Sequence, residues 1–418
     1  MGAAPQREKT RQPVARICLI RQYYFPHDIR VRREVEALTA AGHEVDVICI
    51  ARAGEPPRER QGRVEIHRLR VAHRRGGKSA YLLEYASFLF SAMLLAGWKH
   101  LRRRYQVVQA NSLPDTLVFA ALIPKLLGAR VALDLHEAMP EFFATKYRVG
   151  MGHPAVRLTA WAEQASIRFA DLALTCTAQQ KEAFVRRGAD PAKIDVVLNS
   201  ADETIFDAHA YPHRGGGEGR FVLISHGSVE ERYGLDTIIR AVALLKDDVP
   251  TLCLQIFGEG SYLPELQRLA AQLGVTEQVW FSDGFVPMPQ LLDAIAGADA
   301  GVVAMKRDAF RDLTHCNKMY ELIAMGVPVI TSRTRSVEAY FPPDAFSFFE
   351  SDNPADLARA IQELHARPAL RTRLVEEAAR VNEPYRWPRQ RTRYVGLVRR
   401  LLAGRGAQRA AVAPEGVR

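Results

Sequence analysis

The chain has 418 residues, 48% apolar and 25% charged, with a formal net charge of +10, which excludes a disordered protein and gives room for two domains with separate cores. The charge is largely arginine, concentrated at 52–78, 99–104 and from 380 onward, and suits an anionic partner: a nucleotide, an acidic lipid headgroup or nucleic acid. Five scattered cysteines, Cys18, Cys49, Cys176, Cys253 and Cys316, form no C-x-x-C pair and have no histidine-rich neighbour, so a reducing compartment and no structural metal are expected.

In chain order, residues 1–13 are polar and basic with no long apolar stretch behind them, so no secretory signal is expected. A strand at 17–20, a loop at 21–28, a helix through Leu38, then Gly42 and a strand at 45–50 make a β-α-β unit. The loop brings polar side chains, His27 and Asp28 among them, to the strand's carboxyl edge, with capping of the following helix as the alternative role of Asp28. Strands at 64–71, 107–110, 131–135, 172–176 and 194–198 alternate with helical stretches, as a parallel doubly wound sheet requires. Residues 81–98 are apolar apart from Glu84 and lead into Lys99-His100-Leu101-Arg102-Arg103-Arg104. That stretch is short for a membrane span; a core helix and a membrane-surface helix with basic anchors are the two readings, and they can coexist. The strand at 131–135 ends in His136-Glu137, where a histidine faces either an interdomain cleft or a surface loop.

Residues 207–219 are rich in Gly, His and Pro without apolar periodicity and read as a linker. A second α/β alternation follows, with strands at 221–225, 252–257, 279–281, 301–304 and 327–331, and a helix carrying Leu235, Ile238, Ile239, Val242 and Leu245 on one face. Its first strand leads into His226-Gly227-Ser228-Val229-Glu230-Glu231-Arg232-Tyr233-Gly234 and a helix. Small residues there let backbone N–H groups and Arg232 approach a phosphate; the alternative is an ordinary turn with a solvated arginine. Gly258-Glu259-Gly260 lacks the third glycine of a dinucleotide fingerprint and reads as a tight turn, which disfavours a nicotinamide enzyme. Residues 316–326, Cys-Asn-Lys-Met-Tyr-Glu-Leu-Ile-Ala-Met-Gly, place Lys318 in the first turn of a short helix. An unliganded helix would favour an acidic residue there, and a bound phosphate reverses the preference. Met319, Leu322 and Ile323 take the core spacing, which turns Asn317, Lys318 and Glu321 toward a cleft. Glu321, otherwise a solvated helix former, then stands where a carboxylate can accept from both hydroxyls of a ribose.

Taken together, His226 to Asp236, the Gly258-Glu259-Gly260 turn with its helix, and Asn317-Lys318 through Gly326-Val327-Pro328 resemble the carboxyl half of family-4 retaining glycosyltransferases of the GT-B fold. In the first half, Asp28 to Glu34, Ala41-Gly42-His43-Glu44-Val45, Asp134-Leu135-His136-Glu137 and Leu198-Asn199-Ser200-Ala201-Asp202 extend the resemblance, as does Tyr385-Arg386-Trp387 near the end.

The resemblance implies two Rossmann-like doubly wound domains facing a cleft. They would run 14–206 (acceptor-binding) and 220–383 (donor-binding), joined by 207–219, with a helix at 384–403 returning to the first. It implies metal-independent transfer, with retention, of a hexosyl group from a UDP- or GDP-sugar to a glycan or lipid-linked acceptor in surface polysaccharide or glycolipid synthesis. No cofactor and no nucleic acid would be involved, and the protein would be cytoplasmic, peripheral at the inner face of the plasma membrane through 81–104. Arg232, Lys318 and His136 would be catalytic. Gly227, Arg232, Gly284, Phe285, Asn317, Lys318 and Glu321 would bind the donor, and His27 and Asp28 the acceptor. The chain departs from the family at Leu313, where the first glutamate of E-x7-E is expected, with Asp308 or Asp312 as substitutes. It also has Ser228 and Tyr233 where many members carry Arg and Lys, and His27-Asp28 in place of a double-glycine loop. A non-catalytic sugar-nucleotide binder and a same-fold epimerase are the alternatives.

Overall fold

The computed structural model describes residues 14–71, 78–217, 219–282 and 284–404. Residues 1–13, in which no secretory signal is expected, lie outside these. The first sheet holds β1 (Arg16–Tyr24), β2 (Glu44–Ile50), β3 (Arg58–Gln61), β4 (Val64–Leu69), β5 (Val107–Asn111), β6 (Arg130–Leu135), β7 (Leu172–Thr175) and β8 (Ile194–Val196). Their order is β3-β4-β2-β1-β5-β6-β7-β8. Every pair is parallel except β3 with β4.

Strand periodicity explains why this sheet is covered on both faces. In β1, Ile17 and Leu19 face the helices Ile29–Ala40 and Trp387–Ala403, while Cys18 and Ile20 face the helix Lys78–Arg103. That last helix buries Phe88, Ala92 and Ala96 and leaves Leu83, Phe90, Leu94, Trp98 and Leu101 exposed on the opposite face, so the core reading holds for one side only. No described helix is long and apolar enough to cross a membrane.

The second sheet holds β9 (Phe221–His226), β10 (Leu252–Phe257), β11 (Val279–Phe281), β12 (Ala300–Val303), β13 (Val329–Ser332) and β14 (Ser347–Phe349). It is all parallel in the order β11-β10-β9-β12-β13-β14. On one face Leu223 packs with Leu235, Ile238, Ile239, Val242 and Leu245 of the helix Leu235–Leu245. On the other, Val222 and Ile224 pack with Met319, Leu322 and Ile323 of the helix Asn317–Ala324, the side expected from their spacing.

Some boundaries differ from expectation. β1 runs on through Tyr24, and β13 starts at Val329 rather than at position 327. Gly326 at φ +67° still belongs to the helix exit, and Pro328, which has no N–H to give a ladder, only accepts from Gly301 N at 2.9 Å.

The helix Trp387–Ala403 returns to the first sheet. Tyr394 donates to Gln109 Oε1 at 2.9 Å, and Leu198 N donates to Gln390 Oε1 at 2.9 Å. Gln109 lies in a buried polar network centred on a two-pronged ion pair, Arg30 Nε to Asp134 Oδ2 at 2.6 Å and Nη2 to Oδ1 at 2.7 Å. Removing one member of such a pair strands the other charge. Arg30→Ala is therefore expected to lower the unfolding free energy by about 3–5 kcal/mol, read from urea denaturation; a loss below about 1 kcal/mol, the range of an exposed pair, would refute a structural role.

Candidate functional site

At the carboxyl end of β9 the chain turns through Gly227, φ +94°, where a Cβ would sit 2.8 Å from Lys318 Cε. Only a glycine lets the lysine pass so close to the loop. Lys318 is in the first turn of the helix Asn317–Ala324, whose cap residue Cys316 makes no side-chain capping bond. The positive end of that helix and the ammonium group thus share one place. Asn317 is exposed at the helix's first position.

Lys318 Nζ lies 4.3 Å from the centre of the Tyr233 ring. The Arg232 guanidinium lies 5.2 Å from the same centre and that of Arg311 5.4 Å. Burial lowers the Lys318 pKa, opposed by Cys316 and Glu321, while Arg311 and Arg232 lower it further. Among the described residues none of these three cations has a salt-bridge partner. Arg311 was not expected from the sequence; it stands on a 3-10 turn, Arg311–Leu313, and not on a recognisable loop motif.

One turn beyond Lys318, Glu321 Oε2 lies 2.7 Å from His226 Nε2. His226, buried at the end of β9, is named in the sequence reading as the start of the loop but given no role there; the polar pair Ser225-His226 closing an apolar strand was the available signal. Gly284, φ +73°, and Phe285, 79% exposed, form a rim after β11. Ser282 ties that rim to the Gly258 turn, its Oγ accepting from Gly258 N at 2.9 Å and donating to Gly284 O at 2.9 Å.

The first unit contributes His136, at the end of β6, with Nε2 3.0 Å from Asp134 Oδ2 and its backbone N donating to Ser112 Oγ at 3.1 Å. Burial keeps its pKa low; Asp134 opposes this, and Arg21 and Arg30 add to it. For Asp134 the order is the reverse: burial raises it, but Arg30 and His136 hold its carboxyl well below the usual range. The next residue, Glu137, is pushed up to about 7 by burial, against the pull of Arg311, Arg232 and Arg21. Glu137 of the first unit is therefore within electrostatic reach of two of the cations around Tyr233, which brings His136-Glu137 and those cations to one region between the two sheets.

Other expected residues are placed differently. Asp28 caps the helix Ile29–Ala40, its Oδ1 accepting from Arg30 N at 3.1 Å and Val31 N at 3.2 Å, and its Oδ2 takes Arg21 Nε at 2.8 Å. Its carboxylate is thus fully engaged, as in the capping alternative. His27 is exposed, with Nε2 2.6 Å from Arg52 Nη1. Leu313 is buried in the first unit's core, and Thr177 Oγ1 donates to its carbonyl at 2.5 Å. Neither substitute carboxylate is free: Asp308 accepts from Phe310 N and Arg311 N at 2.8 and 2.7 Å, and Asp312 takes Arg307 Nε at 2.8 Å and Arg335 N at 3.0 Å. Asp46, Glu65 and His67 cluster at ligand spacing. Their carboxylates already receive Lys99 at 2.9 Å, Arg58 at 2.8 Å and Tyr105 at 2.6 Å.

Residues 28–200 match the model of a glycosyl transferase 4-like domain and residues 213–381 that of the glycosyl transferases group 1. A GDP-mannose-dependent alpha-(1-6)-phosphatidylinositol monomannoside mannosyltransferase from Mycolicibacterium smegmatis is 38% identical over 117 residues, 28% of this chain and 30% of that protein. A D-inositol 3-phosphate glycosyltransferase from Streptomyces avermitilis is 26% identical over 250 residues, 56% of this chain and 52% of that one. The chain thus spans about half or less of these curated relatives. Among solved structures, sucrose-phosphate synthase from Thermosynechococcus elongatus superposes with a TM-score of 0.71 at 21% identity, over 93% of this chain and 99% of that one.

Glu137 titrates well above the 4.5 of a free glutamate. A carboxyl raised on folding contributes stability that is full below its unfolded pKa and is lost as pH rises through its folded pKa. Glu137→Gln is therefore expected to be more stable than the parent at pH 8, by on the order of 1–2 kcal/mol, with the gap closing toward pH 5. Thermal melts across that range test it, and a constant difference would contradict the assignment.

Proposed function

The chain belongs to the glycosyltransferases of the GT-B fold, with a 4-like first half and a group 1 second half, and from that premise we propose that it transfers a sugar from a nucleoside-diphosphate sugar, with retention and without a metal. The observation that carries this reading is the cluster of Lys318, Arg232 and Arg311 around Tyr233, positive charges without described carboxylate partners at the carboxyl edge of the second sheet. Ligands of open parallel sheets bind at that edge. A diphosphate there offsets the mutual repulsion of the cations.

With the phosphates on these cations, Glu321 is one turn away for the ribose, exchanging its bond from His226 for the sugar hydroxyls. Gly284 and Phe285 border the base. When the bond from the anomeric carbon to the diphosphate breaks, its electron pair leaves on the phosphate oxygen, and fixed cations stabilise that charge more than they did the bound donor. The acceptor hydroxyl attacks from the same face and its proton passes to the departing phosphate. His136, held by Asp134 and kept neutral, is available to hydrogen-bond the donor sugar. On the acceptor side His27, with Arg52, is the exposed candidate, and Asp28 supports that edge as a cap.

The acceptor in this reading is a glycan or a lipid-linked sugar presented at an anionic bilayer. Its support is the exposed face Leu83, Phe90, Leu94, Trp98 and Leu101; Leu122, Leu126 and Leu127, and Leu158 and Trp161 of the helix Pro154–Phe169, are exposed as well. Arg102 lies 3.8 Å over the Trp98 ring. Aromatic and aliphatic side chains beside basic groups are the composition of a membrane-surface helix.

Two measurements test this reading. In thermal-shift titrations with UDP, GDP, ADP and CMP, one nucleotide should raise the melting temperature, and Lys318→Ala and Glu321→Ala should each abolish the shift; no shift with any of them, in folded protein, would remove the donor reading. In sedimentation with vesicles containing phosphatidylglycerol, the parent should pellet and Leu94→Glu/Trp98→Glu should stay in the supernatant at unchanged melting temperature. Equal behaviour of the two would remove the membrane contact.

A further inference from the structure

The resemblance leads one to expect cations at positions 228 and 233, and this chain has Ser228 and Tyr233 there. Without those charges a diphosphate at this edge would meet Arg232 and Lys318 alone. The structure supplies another group. Arg311 comes from the turn before the helix Asn317–Ala324, and its guanidinium lies 4.9 Å from the Phe310 ring centre and 5.4 Å from that of Tyr233. Its Nε is buried with no hydrogen-bond partner.

Its backbone is fixed on two sides. Asp308 Oδ1 accepts from Phe310 N and Arg311 N. Leu313, two residues on, is anchored in the first unit's core and bonded to Thr177. The Tyr233 ring attracts each cation through its π system, but a single neutral ring does not offset the repulsion of three of them. Glu137, the described carboxyl that interacts with Arg311 and Arg232, is pushed toward its neutral form by burial, which leaves the cations room for an anion.

We propose that Arg311 is a phosphate-binding residue of the donor site and that Tyr233 is the platform holding Arg311, Arg232 and Lys318 around the diphosphate. The inference rests on the donor reading above. The missing family cations are thus replaced from a different loop, and an arginine in that place can meet two phosphate oxygens at once, which a lysine cannot. Because its turn is pinned to the first unit, Arg311 closes the site from the side of the interdomain seam.

Isothermal titration calorimetry with UDP and GDP, and with UMP and GMP, tests this on Arg311→Gln, Tyr233→Phe, Tyr233→Ala and Lys318→Ala. Arg311→Gln should bind the diphosphate that the parent prefers at least about tenfold more weakly, the loss expected for one charge-assisted contact. Its binding should also depend less on salt, and the monophosphate should be affected less. Tyr233→Phe should match the parent and Tyr233→Ala should resemble Arg311→Gln. If Lys318→Ala loses binding while folded Arg311→Gln binds as the parent does, the Arg311 inference is overturned and the donor reading stands. If the parent binds none of the four nucleotides, both fall. Should Arg311→Gln fail to fold, Arg311→Met, which keeps the packing stem, serves with the same expectations.

Discussion

The buried pair of Arg30 and Asp134 is the contact on which the cleft-facing edge of the first unit depends. Arg30 comes from the helix after β1 and Asp134 from β6, and the remaining guanidinium donors go to the Val197 carbonyl and to Asn199 on the way out of the first sheet. Glu34 lies in the same dry space, accepting from Asn111 and Gln109. Two carboxyls and one guanidinium there balance only if one carboxyl keeps its proton. Burial, reinforced by Asp134, raises the pKa of Glu34 well above the usual range and puts the proton on it. Asp134 stays charged and orients His136, while Gln109 carries the network to Tyr394 of the returning helix. One charge balance therefore aligns a strand end, the imidazole at the cleft, the chain crossing and the last helix.

The second unit has the opposite economy. Its cations around Tyr233 lack described carboxylate partners, and the acidic groups nearby are committed elsewhere or hold protons: Glu321 to His226, Asp308 to its turn, Glu137 raised by burial. The contrast is between charges that pair with one another inside the first unit and a cluster of cations left unpaired, the kind of imbalance that marks a candidate binding site. Leu313 belongs to the same logic. Where the family pattern has a carboxylate, this chain has an apolar anchor that docks the second unit on the first, beside the bond from Ala178 N to Tyr340 Oη at 2.8 Å and the ion pair of Arg335 with Glu182 at 2.5 Å.

What could be read from the sequence followed from local rules. Apolar runs marked the interior strands, and a 3.6-residue spacing separated Met319, Leu322 and Ile323 from Lys318 and Glu321. What could not be read depended on contacts distant along the chain. β3, Arg-Glu-Arg-Gln, has no apolar alternation because it is an exposed antiparallel edge whose pairing comes from β4. β14, Ser-Phe-Phe, is short and shows no apolar-polar alternation. Asp28 carried two readings from sequence, and the capping geometry accounts for its carboxylate. Arg311 carries no signal in the sequence, since nothing local shows that folding brings it against a tyrosine from a loop 78 positions earlier.

The returning helix makes the first unit discontinuous in sequence: Tyr394, Leu397, Val398 and Leu401 fill a cluster otherwise built from residues before position 200. During synthesis on a ribosome the first half emerges early, yet the part of this sheet face beside the helix Ile29–Ala40 stays uncovered until the helix Trp387–Ala403 has been made. Exchanging halves between such proteins by a single cut in the linker would leave each hybrid with a mismatched lid on that face. A workable chimera has to be drawn as an insertion, with the second unit placed inside the first.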